Sequence, residues 1–237
     1  MNKSVKGGSP ERVALSDPDV LVLRIDGRRP ISAEVVAAVN GVCDAAEDRA
    51  DRARVIVEVS GAPEGPWPGE LTVALVSKWE RALRRLERLP AATIAIGVDD
   101  CGGIALDALL ATDYRVGTGS LRLVVPVGSG ATWPGMALFR LAQRGSNAPA
   151  IRRAVLFGTP IELADALEVQ LIDEVAADAV TAHAVAGERG GGVSGTELAI
   201  RRQLVEDAAT TSFDEALGVH LAACDRALRQ AAAGVPS

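Results

Sequence analysis

The stretch Cys101-Gly-Gly-Ile-Ala-Leu-Asp-Ala-Leu-Leu-Ala-Thr-Asp113 constrains this chain more than any other. An apolar run, Thr93-Ile-Ala-Ile-Gly97, leads through two glycines into an apolar helix, a succession that calls for layered α/β architecture. The first amides of such a helix have no partner within it and carry the positive end of its dipole. One carboxylate, Asp107, stands on it. Leu106, Leu109 and Leu110 share one side of the wheel, and Ile104, Ala108 and Ala111 the other. A helix apolar nearly all round is a buried one, and burial raises a carboxyl's pKa toward the range in which it can give and take a proton. The alternative is that Asp107 is a helix-interior residue satisfied by a buried arginine or a backbone amide.

The rest of the chain fits the same architecture. Val20–Ile25 and Val55–Val59 are short β-branched runs, with a helix between them that Ser32 can cap and that reaches about Asp48. Gly61-Ala-Pro-Glu-Gly-Pro-Trp-Pro-Gly69 excludes regular structure and reads as a shaped surface loop or a plain connector. A helix is expected from about Glu70 to Leu89, where Leu75, Trp79, Leu83 and Leu86 form an apolar stripe and Pro90 ends it. Tyr114–Val116 and Leu121–Val125 are further short strands. Thr159-Pro-Ile-Glu162 has the form of a capped helix start, with the helix running to about Val169, and Ser212-Phe-Asp-Glu215 repeats the capping box. The glycine-rich segment 187–195 lacks the ending of a phosphate loop and reads as a linker. The expected organisation is a disordered lead over 1–16, a core over 17–186, that linker, and two helices over 196–237.

Composition narrows function by exclusion. At 237 residues and 48% hydrophobic content the chain can bury a full core, and its net charge of −6 argues against nucleic acid or an anionic membrane as the main partner. Cys43, Cys101 and Cys224 are odd in number and widely spaced, so no disulfide framework or CxxC motif can be drawn. Reduced cytoplasm is the expected setting. No apolar stretch approaches a membrane span. His183 and His220 are the only histidines, too few for a zinc site or a histidine-based triad, and no metal is expected.

Several motifs in order carry a resemblance. Ala105-Leu-Asp-Ala-Leu-Leu-Ala-Thr-Asp-Tyr-Arg-Val116 resembles the crotonase (enoyl-CoA hydratase/isomerase) signature, a glycine turn followed by GLELALACDIRI, with Asp113 and Arg115 on its Asp and Arg. Pro126 falls on the proline of the family's Pro-Glu pair, and Thr132, Pro134 and Gly135 fall on the loop after it. Gly158–Val175 resembles the family's TGxxIsAxeAxxxGLVdeV segment, so the match spans roughly residues 20 to 176. The resemblance implies a crotonase (ClpP-like) α/β fold of repeated ββα units with a C-terminal helical appendage used for oligomerisation. It also implies a coenzyme A thioester as substrate and no tightly bound cofactor.

The resemblance assigns roles residue by residue. The family's first catalytic glutamate corresponds to Asp107, and its second corresponds to Val127, so half of the acid pair is absent. Asp is one methylene shorter than Glu, which sets the carboxyl back by about 1 Å. The oxyanion amides map to Ile104 and to Pro68 or Gly69; proline has no N–H, and losing one such donor lowers rate on the order of 100-fold. Gly103, Val127 and Trp133 are implied substrate contacts, and Arg28 and Arg29 are candidates for the phosphates of CoA, with Lys78 or Arg81 beyond them.

The length, the eroded acid pair and the Trp-Pro loop make the chain most similar, within this family, to an accessory subgroup of 3,5-dihydroxyphenylglycine biosynthesis in glycopeptide antibiotic pathways. That similarity implies work beside a type III polyketide synthase and another crotonase-fold hydratase, forming 3,5-dihydroxyphenylacetyl-CoA by dehydration and aromatisation. The partners implied are an acyl-CoA and a homo-oligomer or mixed oligomer. Two functions follow as expectations: a one-carboxyl dehydratase or isomerase, or an eroded subunit that stabilises or stimulates another enzyme.

Overall fold

The computed structural model describes residues 17–49, 52–64, 71–128, 130–145, 148–190 and 195–233. The lead over 1–16 lies outside these residues. Strands form where β-branched side chains recur: β1 (Val20–Asp26) and β2 (Arg54–Gly61) flank helix α1 (Ala33–Asp48). Ser32 caps α1 as its sequence predicts, accepting a hydrogen bond from the Val35 amide. Helix α2 (Val73–Glu87) is capped by Thr72 and begins later than Glu70. The threonine hydroxyl accepts the Leu75 amide, which fixes the start.

Strand β3 (Ala92–Gly102) runs five residues beyond the expected Gly97 and leads into α3 (Ile104–Leu110). The structure continues through β4 (Tyr114–Thr118), β5 (Arg122–Val124), β6 (Val127–Gly128) and β7 (Ala131–Thr132) to α4 (Met136–Gly145) and α5 (Pro149–Phe157). Next come β8 (Ile161–Glu162), α6 (Leu163–Glu168), β9 (Glu174–Ala176), α7 (Ala179–Arg189), α8 (Gly195–Asp207) and α9 (Phe213–Ala233).

The main sheet runs β1-β2-β3-β4-β9, all parallel, while β5 joins β3 in parallel and β8 pairs antiparallel with β5. Strand β3 serves two neighbours in turn. Ile94 to Gly97 pair with β4, and Asp100 to Gly102 pair with β5. Between them the register against β2 slips, from Ser60 opposite Val98 to Gly61 opposite Cys101, and Asp99 takes a left-handed φ of 55°. Asp tolerates that conformation better than a branched residue does.

Helices α1, α2 and α3 cover one face of this sheet in a continuous apolar core that includes Leu23, Val57, Trp79, Leu83, Leu106 and Leu109. A smaller cluster on the other face joins Ile56, Ile94, Ile96 and Val116 to Ala182 and Ala186 of α7.

Two local readings change. Thr159-Pro-Ile-Glu162 does not cap a helix. Ile161 is buried and pairs with Leu123, so α6 starts after Glu162 with no side-chain cap. Burial of Ile161 outweighs the local capping preference. The segment 187–195 is not all linker either, because α7 continues to Arg189 and α8 begins at Gly195; residues 191–194 lie outside the described ones. The Ser212 capping box forms in full, with Glu215 accepting from the Ser212 amide and hydroxyl.

Candidate active site

The glycine turn is built by close backbone approach. Gly103 has φ 53°, and a side chain there would place its Cβ 2.9 Å from Pro63 Cγ and 3.3 Å from the Gly27 carbonyl oxygen. Only glycine fits. Ile104, the expected oxyanion donor, is the first residue of α3, and the first amide to close the helix is that of Asp107 to the Gly103 carbonyl at 3.1 Å. The other expected donor, Pro68 or Gly69, lies outside the described residues.

Asp107 is 5% exposed and every residue of α3 is buried around it. Its Oδ2 accepts a hydrogen bond from the indole Nε1–H of Trp79 at 3.0 Å. Burial pushes its pKa up to about 7, with the charge of Glu80 adding to the rise; the Trp79 bond, the Arg140 charge and the Ala137 amide oppose it. Desolvation wins because no cation pairs directly with Asp107. Arg140, itself buried, is taken up by Glu80 at 3.0 Å and Glu87 at 2.7 Å. Two carboxyls thus share the buried guanidinium, and Asp107 is served by a neutral donor. Of the alternative that Asp107 is satisfied by a buried arginine or a backbone amide, the arginine is not what the structure holds, while the Ala137 amide is among its partners.

Asp113 and Arg115 of the signature do structural work. Asp113 accepts from the Thr93 amide and hydroxyl, each at 2.9 Å, and from Arg202 of α8 at 2.6 and 2.7 Å. Arg202 also donates to the carbonyls of Leu89 and Ala91. Arg115 is 2% exposed and pairs with Asp173 at 3.0 Å. Cys101, beside the turn, is buried and its thiol is pushed up to about 12, too high for a nucleophilic thiolate.

An open groove of about 560 Å³ adjoins the turn, lined by Arg28, Gly61, Pro63, Asp99, Asp100 and Arg122. Pro63 belongs both to it and to the Gly103 contact. Arg28 is paired with Asp26 at 3.0 Å, and Arg122 with Asp100 through two hydrogen bonds at 2.7 and 2.8 Å. Arg29 lines a neighbouring hollow of about 550 Å³ with Glu58 and His183. Lys78 and Arg81 are not brought to the turn; they line a separate hollow against Val36 and Asn40 of α1.

Val127 is 48% exposed on β6, where it pairs with Thr132 of β7 and packs over Gly158. Trp133 follows that hairpin, its amide bonded to the Pro126 carbonyl at 2.8 Å, with its ring against Gly135. Among the described residues no cluster of side chains has metal-ligating form, and no helix is long and apolar enough to cross a membrane.

A protein of Amycolatopsis orientalis named as an enoyl-CoA hydratase is 51% identical over 213 residues, covering 90% of this chain and 97% of that one. The chain belongs to the enoyl-CoA hydratase/isomerase, or crotonase, family. Solved structures share the crotonase fold at lower identity. An enoyl-CoA hydratase from Polaromonas sp. superposes with a TM-score of 0.73 at 19% identity, covering 91% of each chain. A hydratase/isomerase family protein from Silicibacter pomeroyi gives 0.73 at 16%, covering 89% of this chain and 95% of that one. No family model matches the sequence.

Trp79 is the site residue that sequence reasoning missed. Its helical spacing predicts a core residue, and the further signal lies in pairing two needs. A buried indole N–H requires an acceptor, and a buried carboxylate requires a donor.

Proposed function

We propose that this crotonase-family chain is a one-carboxyl CoA-thioester isomerase or dehydratase, acting in the formation of 3,5-dihydroxyphenylacetyl-CoA from a type III polyketide synthase product. The observation that carries the reading is the buried Asp107, whose proton affinity lies near neutrality beside a glycine turn. In the reading, the Ile104 amide and an amide of the 65–70 segment polarise the thioester carbonyl. This lowers the pKa of the neighbouring C–H, and Asp107 carries the proton from one carbon to another. Val127, a valine at the family's second acid position, supports isomerisation or dehydration over addition of water. The CoA moiety lies along the groove of Arg28 and Arg122, whose ion pairs with Asp26 and Asp100 open to share phosphate oxygens.

A second reading rests on a different observation. Helix α9 exposes Phe213, Leu217, Leu221 and Leu228 along one face, an apolar surface suited to assembly as a homo-oligomer or with another crotonase-fold hydratase. In that case the chain stabilises or stimulates its partner. One experiment separates the two: adding wild type or Asp107→Asn to a reaction containing the polyketide synthase and the partner hydratase. The catalytic reading expects at least 100-fold slower product formation with the variant. Equal enhancement by both proteins, with the partner co-purifying, overturns it in favour of the subunit reading.

A further inference from the structure

The side chain that touches Asp107 lies on a different helix and is neither acid nor base. Trp79 is fully buried on α2, and its indole N–H reaches Oδ2 of Asp107 across 28 residues of sequence. An indole nitrogen donates and never accepts. When Asp107 is a neutral acid, the oxygen facing Trp79 must be the carbonyl oxygen, because a hydroxyl turned toward an N–H would leave two hydrogens opposed. The transferable proton is thereby assigned to Oδ1.

We infer that Trp79 is a positioning residue, holding Oδ2 of Asp107 as a permanent acceptor so that proton uptake and release take place at Oδ1 alone. This rests on the one-carboxyl reading above and deepens it. Asp has a shorter reach than Glu, and a carboxyl free to rotate would present either oxygen. The indole bond removes that freedom from a side chain already confined by packing.

The surroundings are charged on two elements. From α2 come Glu80 and Glu87, and from α4 comes Arg140, which binds both; Arg84 also reaches Glu87 at 2.9 Å. The Ala137 amide of α4 approaches Asp107 too. Strands β1 and β2 add Leu23, Ile25, Val57 and Val59 to the apolar core that also holds Trp79 and the apolar residues of α3. Glu80 favours the protonated form of Asp107, while Trp79, Arg140 and the Ala137 amide favour the carboxylate. Removing the indole N–H therefore raises the pH at which Asp107 ionises.

The test needs no natural substrate. In protein labelled with ¹⁵N-tryptophan, the Trp79 indole resonance is followed from pH 5 to 9, assigned by its loss in Trp79→Phe. It is expected to move with a midpoint near 7, and to stay still in Asp107→Asn. A resonance that stays still in folded wild type overturns the inference whatever the protein's function. Deuterium exchange at the α-carbon of phenylacetyl-CoA supplies the kinetic arm. Trp79→Phe is expected to lower kcat about tenfold at pH 7 with KM within about twofold, and to raise the midpoint of the pH–rate profile by about 0.5 to 1 unit. Loss of thermal stability with an unchanged midpoint marks Trp79 as packing alone and overturns the inference.

If wild type exchanges no deuterium while its indole titrates, the isomerase reading fails. The ¹³C titration of the Asp107 carboxyl then decides the inference. A midpoint raised in Trp79→Phe upholds it, and an unchanged one overturns it.

Discussion

Helices α3 and α9 lie at opposite ends of the burial scale. All seven residues of α3 are buried, including its carboxylate, whereas α9 leaves Leu217 43% and Leu228 70% exposed. The partially covered face of α9 is a stripe of small residues, Ala216, Ala223 and Ala227, and the helix as a whole contacts α8. The surroundings of α3 are supplied by the chain itself, whereas the apolar side chains of α9 stay open in the single chain, which is what the proposed assembly would cover.

Between the two regions stands Arg202, which ties α8 to Asp113 and to the carbonyls of Leu89 and Ala91. Its removal is the sharpest test of the contrast. Arg202→Ala leaves a partly buried Asp113 without its cation and should cost about 2 to 4 kcal/mol in chemical denaturation. Hydrogen exchange should show α8 and α9 losing protection while α3 keeps it. Loss at α3 as well would make the two regions one cooperative unit and end the comparison.

The next effect concerns α3 alone. The folded-state pKa of Asp107 is raised from 3.8 to about 7. Between those values the folded state holds a proton that the unfolded chain has released, so the contribution of Asp107 to stability is greatest at low pH and falls as pH rises toward 7. Asp107→Asn removes this dependence, and denaturation midpoints should show the variant gaining on wild type as pH goes from 4 to 7, by about 3 kcal/mol. A parallel pair of stability curves would show that Asp107 is ionised throughout.

A smaller loss is expected at the turn that precedes α3. Gly103→Ala adds a Cβ in a left-handed conformation against Pro63, with a cost of about 1 to 2 kcal/mol in thermal unfolding. The smallest belongs to α9. Leu217→Glu with Leu228→Glu should change monomer stability by less than about 0.5 kcal/mol, because neither side chain is buried in one chain. Light scattering should show assembly lost. A large drop in monomer stability would mean that α9 belongs to the core after all.

What was legible in the sequence was local. The Ser32 cap and the Ser212 box each depend on residues three apart, so their sequence patterns survive folding unchanged. The Thr159 cap failed for the opposite reason, since Ile161 finds Leu123 nearly forty residues away. The burial of Asp107 was readable from the apolar wheel around it. Its partner was not, because the indole comes from another helix. The second oxyanion amide remains an expectation on the 65–70 segment.

The divided loyalty of β3 has an engineering consequence. Its first half is held in the parallel sheet between β2 and β4, and its second half pairs with β5 and, at Cys101, with Gly61 of β2, so the glycine turn is anchored before α3 begins. The start of the loop after Gly61 is tied to this turn, since Ala62 lies against Gly102 and Pro63 against Gly103. A loop grafted from a relative therefore has to keep Ala62 and Pro63 if the first turn of α3 is to stay where it is.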